Sequence, residues 1–170
     1  MSLQEGTTLT IITIMVGVTT AIMTTVTVYY RKKQYDVANR QVQLTALMEV
    51  FHMLNNDTHR KARQVLYKHH RSRLDGEKTN EEEIREQIAM VRSDFEMIGT
   101  FVRNNLLSSE VFLDAYWDTT ISSWNALDEN IMTERKLRRN NRYMANFEHL
   151  ASMAREYKEK HAPDESIQPF

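Results

Sequence analysis

The residues best suited to chemistry are histidines, methionines and carboxylates one helical turn apart. Glu49-x-x-His52 has the spacing used by carboxylate-bridged di-iron bundles, where both side chains project together into the core. Such a centre needs a second copy of the motif and two further glutamates, and no second Glu-x-x-His occurs. The expected state is therefore a solvated Glu49 with His52 at the core margin. Two Met/His pairs, Met48 with His52 and His149 with Met153, offer thioether and imidazole donors. They would suit copper if the first and last helices were neighbours, although methionine at helical spacing is more often core filler. His59, His69 and His70 lie among arginines, which disfavours cation binding unless a carboxylate is close.

Nucleophilic chemistry has less to work with. There is no cysteine, which removes thiolate metal sites, disulfides and thiol nucleophiles. Ser108, Ser109, Ser122 and Ser123 are available, but no strained glycine turn presents any of them. Gly76 and Gly99 stand alone, so no phosphate-binding loop exists. No metal or cofactor is expected, and the chain is expected not to be an enzyme.

The elements that must position these groups are helices. Only four glycines and two prolines occur in 170 residues, with both prolines in the tail, a scarcity of breakers that favours an all-α fold. The first helix is expected to run on to Asn55-Asn56-Asp57, with Val37, Gln41, Leu44, Met48, Phe51 and Leu54 as its inward stripe. A short second helix capped by Asp57 should bury Ala62, Val65 and Leu66. After a loop at Asp75-Gly76-Glu77-Lys78, Thr79-Asn80-Glu81-Glu82 reads as a capping box. The third helix then buries Ile84, Ile88, Val91, Phe95, Ile98 and Val102 and ends near Asn104-Asn105. A fourth starts at Ser108 or Ser109, with Leu113, Trp117, Trp124, Leu127 and Ile131 on one face. A fifth follows a turn at Asn140-Asn141 and carries Tyr143, Phe147, Leu150, Ala154 and Tyr157. Short connections imply an antiparallel bundle of four to five helices over residues 31–160, with the aromatic residues at its centre.

Ahead of that bundle, residues 7–30 read TTLTIITIMVGVTTAIMTTVTVYY, with no charge from Gly6 to Tyr30. At about 1.5 Å per residue this covers a hydrocarbon core of roughly 30 Å, so a transmembrane helix is expected, with residues 1–6 as a short extracytoplasmic end. A cleaved leader is disfavoured: Glu5 and no basic residue precede the run, which is too long and lacks a small-x-small site. Tyr29 and Tyr30 suit the headgroup level. Arg31, Lys32 and Lys33 follow, which by the positive-inside rule puts the N-terminus outside and the domain in the cytoplasm, a single pass of the cell membrane. Gly6, Thr10, Thr13, Gly17, Thr20, Thr24 and Thr27 follow a 4-3 spacing on one face, and Gly17 with Ala21 adds a small-xxx-small pair. Such a face lets helix backbones approach and hydroxyls bond across the contact, so it is expected to dock on another transmembrane helix.

Charge sharpens this picture. Residues 31–74 hold ten basic and three acidic side chains, 75–134 four basic and fourteen acidic, and 135–170 eight basic and five acidic. The basic part next to the anchor would favour an anionic cytoplasmic leaflet. Nucleic acid is disfavoured by the acidic middle and the lack of a reading motif. Charge pairing between helices accounts for part of the pattern. The tail, residues 161–170, has two prolines and few apolar residues and is expected to be disordered unless held.

The pattern Asp94-Phe95-Glu96 with Ile98-Gly99, then Tyr116-Trp117, Trp124, Leu127, Ile131, Arg135, and Tyr143 with Phe147-Glu148-His149-Leu150-Ala151 resembles the domain of unknown function 4760 family. The resemblance covers roughly Arg40 to Arg155. It implies a small helical domain of bacteria and archaea, often behind one N-terminal membrane helix. It supplies no activity and hence no catalytic residues.

The expectation is therefore a non-catalytic, single-pass accessory or scaffold subunit of a membrane complex, whose partners are other transmembrane subunits or itself. The alternatives are a self-associating signalling or defence module, or a Met/His metal protein.

Overall fold

A computed structural model describes residues 3–77 and 79–167, with side chains described from Met15 onward. The described residues form five α-helices and one short 3-10 turn, with no strand. The helices are α1 (Leu3–Asn55), α2 (Asp57–Leu74), α3 (Arg85–Arg103), α4 (Ser109–Arg138) and α5 (Ala145–His161). The chain divides into two compact units, Met1–Gln41 and Val42–Phe170.

In the first unit every described side chain, from Met15 on, is exposed, including Val16, Val18, Ile22, Met23, Val26 and Val28. Among the described residues no helix is long and apolar enough to cross a membrane. The apolar run begins at Thr7, however, so its first third precedes those side chains.

The second unit is a helical bundle. Its core is Val50 and Leu54 from α1, Ala62 and Leu66 from α2, Val91, Phe95 and Ile98 from α3, Phe112, Ile121, Trp124, Leu127 and Ile131 from α4, and Phe147, Leu150 and Ala154 from α5. The expected stripe of α3 is buried throughout. That of α1 needs correction. Val37, Leu44 and Met48 are exposed, the last two at 61% and 71%, while Leu54 is buried as expected and Ala46 and Val50 face inward with it. This part of α1 carries two apolar stripes, and the bundle covers the one containing Val50. Val65 is likewise exposed on α2, whose inward face turns instead toward Arg63 and Tyr67.

The helix ends follow their capping residues, with small shifts. Asn56, not Asp57, caps α2, its side chain accepting from the Thr58 N–H at 2.9 Å. Asn80 rather than Thr79 opens the next element, accepting from the Glu82 N–H at 3.1 Å, while its side-chain amide donates to Glu83 at 3.3 Å, a side-chain contact in place of the reciprocal capping box expected. That element is a 3-10 turn, Glu81–Ile84, leading into α3. Ser108 caps α4, as expected. Unexpected from sequence is a kink in α4 at Tyr116 (φ −138°, ψ 19°). There Thr120 Oγ1 donates to the Tyr116 carbonyl at 2.7 Å, and the Tyr116 ring stacks on Phe112 while its hydroxyl accepts from Asn55 at 2.8 Å.

Candidate functional site

The chemistry sought in the sequence does not assemble where it was expected. Met48, Glu49 and His52 are exposed on α1 and His149 is exposed on α5, with Met153 half-buried, so neither Met/His pair lines an interior site. Among the described residues no group of three or more His, Cys, Asp or Glu is placed to hold a metal ion. Ser108 is spent as a cap, and Ser123 shares a hydrogen bond with Tyr67.

What does assemble is a set of partly buried polar junctions between helices. In the first, His59 Nδ1 of α2 lies 2.7 Å from Asp94 Oδ2 of α3. Asp94 sits among Val91, Phe95 and Ile98 on the buried face, and His59 is partly open to solvent. Burial raises the Asp94 carboxyl above its ordinary value, and the hydrogen bond from His59 works against that rise. Arg63 stands beside them, buried, with one guanidinium nitrogen donating to the Leu54 carbonyl; burial lowers its pKa, although it remains a cation. A His–Asp pair is the orienting half of an acid–base site, but no hydroxyl among the described residues bonds the His59 ring, so the geometry supplies no activated nucleophile.

A second junction joins α3 to α5. Both Glu96 oxygens are used: one accepts from the Phe147 N–H at 2.9 Å and the other from Asn146 Nδ2 at 2.9 Å, which also donates to Thr100 Oγ1 at 3.0 Å. Glu96 thus caps α5 from another helix, where Met144, at φ 57°, has no side-chain cap to offer. A third joins the end of α4 to the turn before α5. Arg135 donates through Nε to the Tyr143 carbonyl and through Nη2 to Glu148, both at 2.8 Å. Tyr143 also lies under the Arg138 guanidinium, 4.6 Å from its ring centre.

These junctions contain the polar residues Asp94, Glu96, Arg135, Tyr143 and Glu148 of the motif read from the sequence. The model of the family described as Domain of unknown function (DUF4760) matches residues 11–154. The chain belongs to that family. The match reaches well before Arg40, into the apolar part of α1. No curated protein and no solved structure matches the chain. In this DUF4760 chain the motif residues join helices, and none of the described ones forms a reacting pair with a nucleophile.

Of the residues expected to form a transmembrane contact face, only some have described side chains. Gly6, Thr10 and Thr13 lie outside the described side chains. Gly17, Thr20, Ala21 and Thr24 line a shallow hollow on one face of α1. The hydroxyls of Thr20, Thr24 and Thr27 donate to carbonyls four residues earlier, at 2.7–2.8 Å, rather than pointing outward as donors. What that face presents is methyl groups and backbone. Tyr29 and Tyr30 pack edge to face at 5.8 Å, and both are exposed, as are Arg31, Lys32 and Lys33.

A fourth junction, between α2 and α4, was not legible in the motif. The Tyr67 hydroxyl is 2.6 Å from Ser123 Oγ, and burial pushes its pKa up to about 12. The folded state therefore holds this proton more tightly than the unfolded chain does. Its contribution to stability is intact below pH 10 and is lost as pH rises from about 10 to about 12, by roughly 2–3 kcal/mol. Tyr67→Phe should cost about 1 kcal/mol at pH 7 by leaving Ser123 unpaired, yet lose less stability than the parent between pH 7 and pH 11 in urea titrations. Equal losses in the two chains would show that Tyr67 does not govern the alkaline limb.

Proposed function

We propose that this DUF4760 chain is a single-pass membrane protein, N-terminus outside, that acts as a non-catalytic accessory or scaffold subunit of a larger membrane complex. The observation that carries this reading is the uncharged run from Gly6 to Tyr30, followed at once by Arg31, Lys32 and Lys33. It is supported by the uniform exposure of the described side chains from Met15 to Val42, several of them large and apolar, because water is a poor solvent for such a surface. The basic collar gains about 1 kcal/mol per Lys or Arg near an anionic leaflet, which would orient the domain. The hollow at Gly17, Thr20, Ala21 and Thr24 lets another helix approach closely through van der Waals packing, the hydroxyls being satisfied internally. A scaffold rather than a catalyst is supported by the use of the motif's polar groups to join helices.

A second reading, self-association, is favoured by one observation. Val16, Met23, Tyr30 and Val37 recur every seven residues and are all exposed, which puts four large side chains in line along one face of α1 for a second copy to meet.

The chain should stay with membranes after alkaline carbonate extraction, and release into the supernatant would defeat the anchor. Native mass spectrometry from mild detergent should then show foreign subunits in fixed stoichiometry. A homodimer would favour the second reading, and a clean monomer would overturn both.

A further inference from the structure

The tail does not follow its composition. After α5 the chain turns over residues 162–165, where the Glu165 N–H donates to the Ala162 carbonyl at 3.2 Å and Lys158 Nζ donates to the Pro163 carbonyl at 3.3 Å. Ile167 then packs against the bundle core. There it forms one wall of a cavity of about 200 Å³, whose other walls include Tyr67, His70 and Leu74 of α2 and Ser122 and Asn125 of α4.

Ser122 distinguishes this cavity from a plain packing gap. It is 8% exposed, and its hydroxyl has no partner among the described residues. A helical hydroxyl commonly falls back on the carbonyl four residues earlier, as those of Thr100, Thr120 and Thr133 do at 2.7–2.9 Å; that of Ser122 does not. Two further polar walls are donors. Arg73 can only donate, so its 3.2 Å contact with His70 Nδ1 makes that nitrogen the acceptor and puts the ring proton on Nε2. Burial and the neighbouring Arg73 lower the His70 pKa against the opposing pull of Asp128, so the ring is neutral near pH 7. Asn125 Oδ1 accepts from Arg155 at 3.1 Å, which leaves Nδ2 as its donor. Net charge does not select an occupant. Arg71 on the wall is already engaged, Arg73 is paired with Glu129 at 2.8 Å, and Asp118 and Asp128 act on Tyr67 and His70.

We propose that this cavity binds a small uncharged carbonyl compound, its oxygen held by the Ser122 hydroxyl and its apolar body, about one ring in size, lying among Tyr67, Leu74 and Ile167. The Tyr67 hydroxyl is committed to Ser123 and to the Thr119 carbonyl, so what Tyr67 adds is ring surface. A carbonyl oxygen is the acceptor that a wall of donors lacks, and it carries no charge to be desolvated. Size follows from the volume. An apolar cavity of about 150 Å³ takes benzene, and sites for drug-sized ligands start near 300 Å³. A cavity of about 200 Å³ therefore holds one ring with a short polar substituent. The site lies wholly within the bundle, and the inference is independent of the membrane reading.

The test uses the full-length chain in lipid nanodiscs, with benzamide as the probe and methyl NMR as the readout. Titrated to about 20 mM, benzamide should shift the Leu74 and Ile167 methyl signals saturably, with a Kd of about 5 mM or tighter for a ligand of this size. The methyls of Leu44, exposed on α1, should stay in place. Ser122→Ala should weaken binding about tenfold, the loss of one hydrogen bond. The same substitution should raise the urea midpoint of the ligand-free chain, because it removes a buried hydroxyl that nothing satisfies. The absence of a saturable shift would mean that the cavity holds water alone, and it overturns the proposal. So do shifts shared by Leu44, binding weakened less than about threefold in Ser122→Ala, or a lower urea midpoint for that variant.

Discussion

Replacing Gly99 by alanine is expected to destabilise the bundle by about 2–4 kcal/mol, a large share of the roughly 5–15 kcal/mol that holds a domain of this size. The sign is the informative part. Glycine inside a helix is ordinarily a liability, and alanine there gains about 0.5–1 kcal/mol. At Gly99, however, an added Cβ would fall inside contact distance of the Asn146 carbonyl group and 3.1 Å from its Cβ. A backbone carbonyl cannot rotate out of the way as a side chain can, so α3 and α5 must separate. Separation would also stretch the bonds from Glu96 and Thr100 to Asn146 and Phe147, so the loss exceeds the clash alone. Urea unfolding of the two chains measures it, and Gly17→Ala, where nothing lies within 4 Å, is the control expected to leave the bundle unchanged. A Gly99→Ala chain as stable as the parent would mean that the helices do not cross this closely.

Phe147→Ala should cost about 3–5 kcal/mol, the range for emptying a buried aromatic site. Phe147 is fully buried, stacked on Phe95 with ring centres 5.0 Å apart and met edge-on by Trp124, also at 5.0 Å. All three rings come from different helices, so no neighbour can collapse into the space without moving a helix. Leu44→Ala, on the exposed stripe of α1, should change stability by less than about 0.5 kcal/mol. Trp124 fluorescence should shift in the first variant and not in the second. A comparable loss at both positions would restore Leu44 to the core, where its spacing alone had put it.

The contrast between these two residues shows where sequence reasoning reaches its limit. Leu44 belongs to a regular stripe and Val50 to another on the same helix, and periodicity cannot choose between them because each is a valid face of a 3.6-residue turn. On α3 only one stripe is apolar, and there the expected core is the observed one. Asp94 carried a usable signal, a charged residue in the middle of that apolar stripe. Its partner His59 carried none, being 35 residues away among arginines. Glu96 and Phe147 are 51 apart, and nothing local to either marks the bond. The threonine hydroxyls were legible as a face but not as donors, since each had a nearer acceptor in its own helix.

By itself the sequence determined the helical class, the caps that start α2, the 3-10 turn before α3, and α4 to within a residue, the uncharged run with its basic border, and the family. All of these depend on interactions within a few residues along the chain, which composition and spacing record directly. Only the tertiary structure decided which stripe of α1 is covered, which helices Asp94, Glu96 and Arg135 join, how close Gly99 comes to Asn146, and that Ile167 has a seat. Those outcomes depend on groups brought together from distant positions, and a side chain's burial and partners exist only once the helices have packed.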